Sequence, residues 1–205
     1  MKHKSQVQMQ TIIKKQIENS IALKIKLLEE KAVLSNIEKA ANLIISAFRN
    51  KQKVLLAGNG GSAADAQHIA GELVNRFYFD RPGLPAIALT TDTSVLTAIG
   101  NDQGYSMLFA RQIEALGKAG DVFIGISTSG NSSNIIEAFN VCKQEKIITI
   151  GLTGLSGGLM KVLCDVSICV PSDETPRIQE VHILIGHIIC GIVEEELFGQ
   201  LKPMK

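Results

Sequence analysis

Apolar residues in the first quarter of the chain recur every three or four positions. Residues 5–50 contain neither Gly nor Pro, and within them Ile13, Ile17, Ile21, Leu28, Val33, Ile37, Ala41 and Ile44 fall at helical spacings, the pattern of an apolar stripe along a helix. Two helices are predicted, with a break near Ser35-Asn36. From residue 53 the texture changes to short apolar runs, "KVLLAG", "PAIALT", "DVFIGIS", "IITIGLT" and "VSICVP", separated by turns and helical segments. Runs that are apolar at nearly every position suit strands covered on both faces, and their alternation with helices predicts a parallel sheet in an α/β fold. A last apolar pattern from Ile178 to Phe198 predicts a long helix, with Thr175 as its N-cap and Pro176 at the first helical position.

Neither a repeat nor a linker divides the chain. The expected organisation is a single domain over residues 1–205, with an N-terminal helical segment, 1–50, and a sheet core with its C-terminal helix, 51–200. Composition agrees, since 205 residues with 45% hydrophobic content bury a full core within the usual single-domain range. Charge is balanced, 21 Lys and Arg against 20 Asp and Glu, so no basic stripe awaits a nucleic-acid backbone. The N-terminal "MKHKSQVQMQ" has no apolar leader segment, and the apolar stretch near the C-terminus is interrupted by His187. A cytoplasmic protein without a membrane partner is expected. Cys142, Cys164, Cys169 and Cys190 form no CxxC pair and read as reduced core residues.

In a parallel α/β sheet, ligands sit outside the carboxyl ends of the strands. Two loops there carry chemistry. "AGNGGSAADAQH", residues 57–68, follows the first strand and opens a helix with three glycines. "STSGNSSN", residues 127–134, follows the third and offers hydroxyls beside helix N-terminal amides, which is equipment for an anion such as a phosphate monoester. Ordinary helix caps use the same residue types, but two such loops on one sheet favour a phosphorylated small molecule. Neither has the spacing of a dinucleotide fingerprint or a P-loop.

The segments "GNGGSAADAQHIAGEL", "AIGNDQGY", "GDVFIGISTSGNSSN", "GLTGLSGG" and "RIQEVHILIGHII" together resemble a sugar isomerase (SIS) domain, and within that fold the sedoheptulose-7-phosphate isomerases. The resemblance covers nearly the whole chain and runs in the family's order. It implies a five-stranded parallel sheet flanked by helices, a homotetramer with sites at subunit interfaces, and conversion of sedoheptulose 7-phosphate into D-glycero-D-manno-heptose 7-phosphate on the route to ADP-heptose and lipopolysaccharide.

That reaction moves a proton between adjacent carbons through an enediol, so it needs a base at carbon and a partner that shuttles protons on oxygen. The resemblance places these roles on Glu72 and His187. It places substrate contacts on Asn59, Gly60, Gly61, Glu72, Asn101, Asp102, Ser127, Thr128, Ser129, Ser132 and Gln179. It also implies one zinc ion per site, held by His68, Glu72, Gln179 and His187. His68 and Glu72 are four residues apart and share a helix face, whereas Gln179 and His187 are eight apart, a rise of about 12 Å on a regular helix. The expectation is therefore either a helix distorted near Gly186 or a site assembled from more than one chain. Two rival readings carry different functions: an isomerase of another phosphosugar, and a non-catalytic SIS protein resembling the factor that associates with a replication initiator. The tracts "SAADAQH", "LPAIALTTD", "VLTAI" and "RIQE" resemble tracts of that factor. Glu72 and His187 discriminate, because an adaptor has no chemical need of either.

Overall fold

A computed structural model describes residues 2–202, and for residues 2–7 only the backbone. Helices α1 (Lys2–Glu29) and α2 (Lys31–Arg49) precede an alternation of β1 (Val54–Gly58), α3 (Gly61–Val74), β2 (Ala86–Ala88), α4 (Thr93–Asp102), α5 (Ala110–Leu116), β3 (Val122–Ile126), α6 (Ser133–Gln144), β4 (Ile148–Thr153), α7 (Met160–Leu163), β5 (Val166–Cys169) and α8 (Thr175–Phe198). The five strands form one sheet in the order β2-β1-β3-β4-β5. Every pairing is parallel, with Val54 opposite Ala86 and Val122, Val122 opposite Ile148, and Ile150 opposite Val166. All five expected strands are present.

Alternate residues of each strand enter two separate cores, as the twofold repeat of a strand requires. Val54, Leu56, Val122, Ile124, Ile150, Leu152, Val166 and Ile168 pack under α2, α3 and α8. Leu55, Ala57 and Phe123 face Ile113, Ile135, Phe139 and Met160 from α5, α6 and α7. The result is a three-layer α/β/α domain. Strand order reverses between β1 and β3, so the helices that follow these neighbours, α3 and α6, cover opposite faces of the sheet and their loops lie side by side at the carboxyl edge, where ligands bind in such folds.

Several local expectations are corrected. The first helical break lies at Glu30 (φ −82°, ψ 79°), and Ser35 and Asn36 are inside α2. The Asn36 amide donates to the Ser167 carbonyl at 2.8 Å, so it does not compete with its own backbone. The break lets the buried set shift phase, from Leu23 and Leu27 to Val33, Ile37, Ala40, Ala41 and Ile44. By contrast Ile13, Ile17, Ile21 and Leu28 are helical as expected but exposed. The N-cap of α8 is Glu174, without a side-chain cap bond, and Thr175 is the first helical residue. All four cysteines are free, but only Cys142 and Cys190 are core residues, while Cys164 and Cys169 are half-buried. Burial pushes the Cys190 thiol up to about 12 with help from the nearby Glu72 carboxylate, so it is unreactive. Among the described residues no helix is long and apolar enough to cross a membrane.

Candidate active site

The two loops singled out in the sequence meet across the β1–β3 reversal. Asn59 and Gly60 lie between β1 and α3, with Gly61 starting the helix. Opposite them, Ser127 Oγ lies 2.8 Å from Ser132 Oγ and 3.4 Å from Ser129 Oγ, and Ser129 Oγ accepts the Asn131 amide at 3.1 Å. The hydroxyls thus face one another at the start of α6, where the helix end favours an anion. A cavity of about 530 Å³ lined by Thr128, Ser129, Asn131, Ser156, Ser172 and Asp173 adjoins them.

This loop is braced from behind. Gly130 has φ +67°, and an added Cβ would overlap the Gly157 carbonyl. Its carbonyl accepts Met160 N at 3.0 Å, the Thr128 carbonyl accepts Gly154 N at 3.0 Å, and Asn131 Oδ1 accepts Leu159 N at 2.9 Å. Only a residue without a side chain fits a left-handed turn pressed against another backbone.

The amides of Asn59 and Asn134 bond reciprocally at 2.8 and 2.9 Å, and Tyr105 Oη donates to Asn59 Oδ1 at 2.8 Å. Asn134 is fully buried at the base of α6, so this pair ties the two loops together. Sequence reasoning missed Asn134 and Tyr105 as contributors. Asn134→Ala is expected to lower stability by about 1–3 kcal/mol, since the partner amide loses its bonds in a dry setting; the denaturation midpoint checks this. Asn101 and Asp102 end α4, are exposed and bond to each other at 2.7 Å, and they make no hydrogen bond to either loop among the described residues.

A second cluster lies farther along α3. His68 Nε2 is 2.9 Å from His187 Nε2 and 3.1 Å from Glu72 Oε1, and the three ligand atoms lie within 4.8 Å of one another. His68 and Glu72 share a face of α3, and His187 comes from α8. The helices approach because residue 186 is Gly: a Cβ there would stand 2.6 Å from Ile69 Cδ1. Gly186 therefore marks close packing, not the helix distortion envisaged above, and α8 runs unbroken from Thr175 to Phe198. Gln179, two turns before His187, instead lies over the first loop, where a Cβ on Gly61 would come 2.6 Å from its Nε2.

Asp65, also unflagged in the sequence, sits one turn before His68. Its Oδ2 is buried without a hydrogen-bond partner. Burial raises its carboxyl above the usual range, and the His68 and His187 imidazoles pull it partly back.

The SIS-domain family model matches residues 17–154. Over 188 residues the chain is 65% identical to phosphoheptose isomerase 2 of Campylobacter jejuni, covering 92% of this chain and 94% of that one. It belongs to the SIS-domain phosphoheptose isomerases. Similarity to the phosphoheptose isomerase of Aneurinibacillus thermoaerophilus is 63% identity over 190 residues, covering 93% of this chain and 96% of that one. The structure of phosphoheptose isomerase GmhA from Neisseria gonorrhoeae superposes with a TM-score of 0.86 at 43% identity, covering 91% of this chain and 99% of that one. In this SIS domain the serine loop follows β3, the His/Glu/His cluster joins α3 to α8, and Gln179 lies over the first loop.

Proposed function

We propose that the protein interconverts sedoheptulose 7-phosphate and D-glycero-D-manno-heptose 7-phosphate in the cytoplasm, supplying ADP-heptose for lipopolysaccharide. The observation that carries this reading is the convergence of His68, Glu72 and His187, in a domain whose strand β3 ends in a loop of facing serine hydroxyls. Ser127, Thr128, Ser129 and Ser132 receive the phosphate; Asn59, Gly60, Gly61, Asn101, Asp102 and Gln179 face the sugar. Glu72 takes the proton from C1 of the ketose while the C2 carbonyl oxygen gains one, giving the enediol. Return of a proton to C2 and loss of the O1 proton complete the aldose, with His187 exchanging protons on the oxygens. Substrate and product are isomers, so no oxidant or reductant enters.

Two imidazole nitrogens and a carboxylate form a donor set that zinc takes. Two nitrogens 2.9 Å apart lie near the spacing of about 3.3 Å that adjacent ligands keep in a tetrahedral zinc shell. His68, Glu72 and His187 would hold the ion, and bound zinc supplies Lewis-acid polarisation of the sugar oxygens. Gln179 of the same chain is turned to the first loop, so Gln179 of a second copy is assigned the fourth position.

The homotetramer has physical support in α1. Met9, Ile12, Ile13, Ile17, Ile21, Ile25 and Leu28 recur at helical spacing and are each more than half exposed. His187 opens into a groove of about 780 Å³ whose walls include Tyr78, Ile188 and Ile192. A neighbouring copy would cover such surfaces and exclude water from the site. The double variant Ile17→Asp, Ile21→Asp is expected to give a smaller species by light scattering, with turnover lost.

The functional test is incubation with sedoheptulose 7-phosphate, with chelator or added zinc. Aldoheptose phosphate should form, stop with chelator and resume with zinc. No conversion by folded protein under any metal condition would overturn the proposal.

A further inference from the structure

A buried ion pair lies directly behind the His/Glu/His cluster. Arg81, in the loop after α3, and Glu194, on α8, have side chains only 1% exposed. Arg81 Nε donates to Glu194 Oε1 at 3.1 Å. The rest of the guanidinium serves backbone: Nη2 donates to the Glu72 carbonyl at 2.8 Å, and Nη1 to the Leu73 and Pro82 carbonyls at 2.7 and 3.0 Å. Glu194 in turn accepts the amides of Phe77 at 2.7 Å and Tyr78 at 2.6 Å.

A fully buried pair contributes little net stability, because desolvating two charges offsets their attraction; its constraint on geometry is the more telling property. Here the constraint falls on the cluster. Helix α3 ends at Val74, so the carbonyls of Glu72 and Leu73 belong to its last turn, where a cation complements the helix dipole and supplies the missing donors. Glu194 fixes the backbone of Phe77, whose ring centroid is 5.5 Å from that of His187. One pair thereby grips the backbone of Glu72 and the residue that packs on His187.

We infer that Arg81 and Glu194 are positioning residues, which set the separation of His68, Glu72 and His187 by clamping the end of α3 to α8. This rests on the reading of those three side chains as the reacting and metal-holding set. The Lys53–Asp121 pair supplies the contrast. Asp121 is equally buried and accepts the amides of Lys53 and Lys118, but at the amino edge of the sheet, away from the cluster.

The test compares Glu194→Gln and Arg81→Lys with Lys53→Met as a control for lost stability. Zinc affinity is read by competition with a chromogenic chelator in the absence of sugar, and kcat and KM are read with sedoheptulose 7-phosphate. Both clamp variants are expected to weaken zinc binding about tenfold or more, the scale for groups that orient metal ligands, and to lower kcat about tenfold with KM within about twofold. Lys53→Met should leave both unchanged. Native zinc affinity and kcat in either folded clamp variant, or equal losses in Lys53→Met, would overturn the inference. Should neither clamp variant fold, Phe77→Leu, at a half-buried ring, carries the test: native values there overturn it and losses support it. Failure of the wild type to turn over the sugar would sink the functional reading alone, and the zinc titration would still decide the clamp.

Discussion

Glu72→Gln is expected to lower kcat by about 10³-fold, the scale of losing a positioned general base. Glutamine keeps the shape and one acceptor oxygen but cannot take a proton from carbon. On the proposed reading the same variant also removes a charged zinc ligand, so turnover alone would not separate the two roles. Proton exchange does: in D₂O, wild-type protein should introduce deuterium at the carbon adjacent to the carbonyl, and Glu72→Gln loaded with excess zinc should not. Exchange at the wild-type rate with zinc restored would remove Glu72 as the base and leave it as a ligand.

Acidification is expected to destabilise the fold through His182. This residue is fully buried on α8, with Nε2 3.1 Å from the Thr153 carbonyl and Nδ1 without a hydrogen-bond partner. Nε2–H donates to the carbonyl in the neutral ring. Burial holds its pKa down to about 4, against an ordinary value of 6.5. Below pH 6.5 the unfolded chain binds a proton that the folded one refuses, so stability falls as pH falls and levels off below about 4. The gap amounts to about 3 kcal/mol. Denaturant titrations at pH 7 and pH 4.5 would measure it, with His182→Gln as the non-titrating reference that keeps a donor to Thr153. An equal loss in that variant would assign the acid sensitivity to other groups.

The strands were legible because each is a run with almost no polar position, and a sheet buried on both faces has no other way to be written. The serine loop was legible because its hydroxyls and glycines are adjacent in the chain. Arg81, Glu194, Asn134, Tyr105 and Asp65 were not, since each derives its role from a partner or neighbour in another part of the fold; Arg81 and Glu194 are 113 positions apart. The same holds for Gly186, whose meaning depends on Ile69 across a helix contact. The break at Glu30 escaped notice because Ser35-Asn36 is the stronger local signal, and its polarity is satisfied by Ser167 on a distant strand. Helical periodicity in α1 was plain, but periodicity alone does not say whether a stripe faces its own core or another molecule.

The position of α8 has a consequence for synthesis. Its Ile178, Val181, Ile185, Ile189 and Val193 cover the face of the sheet that includes Leu56, Ile124 and Leu152, together with α2 and α3. These strands leave the ribosome before their cover does. The 24 residues of α8 take roughly one to five seconds to translate at about 5–20 residues per second. Throughout that interval the nascent chain carries a sheet face that α2 and α3 cover only in part, and a message truncated upstream of residue 175 would leave the remainder open permanently, a substrate for chaperones and proteases.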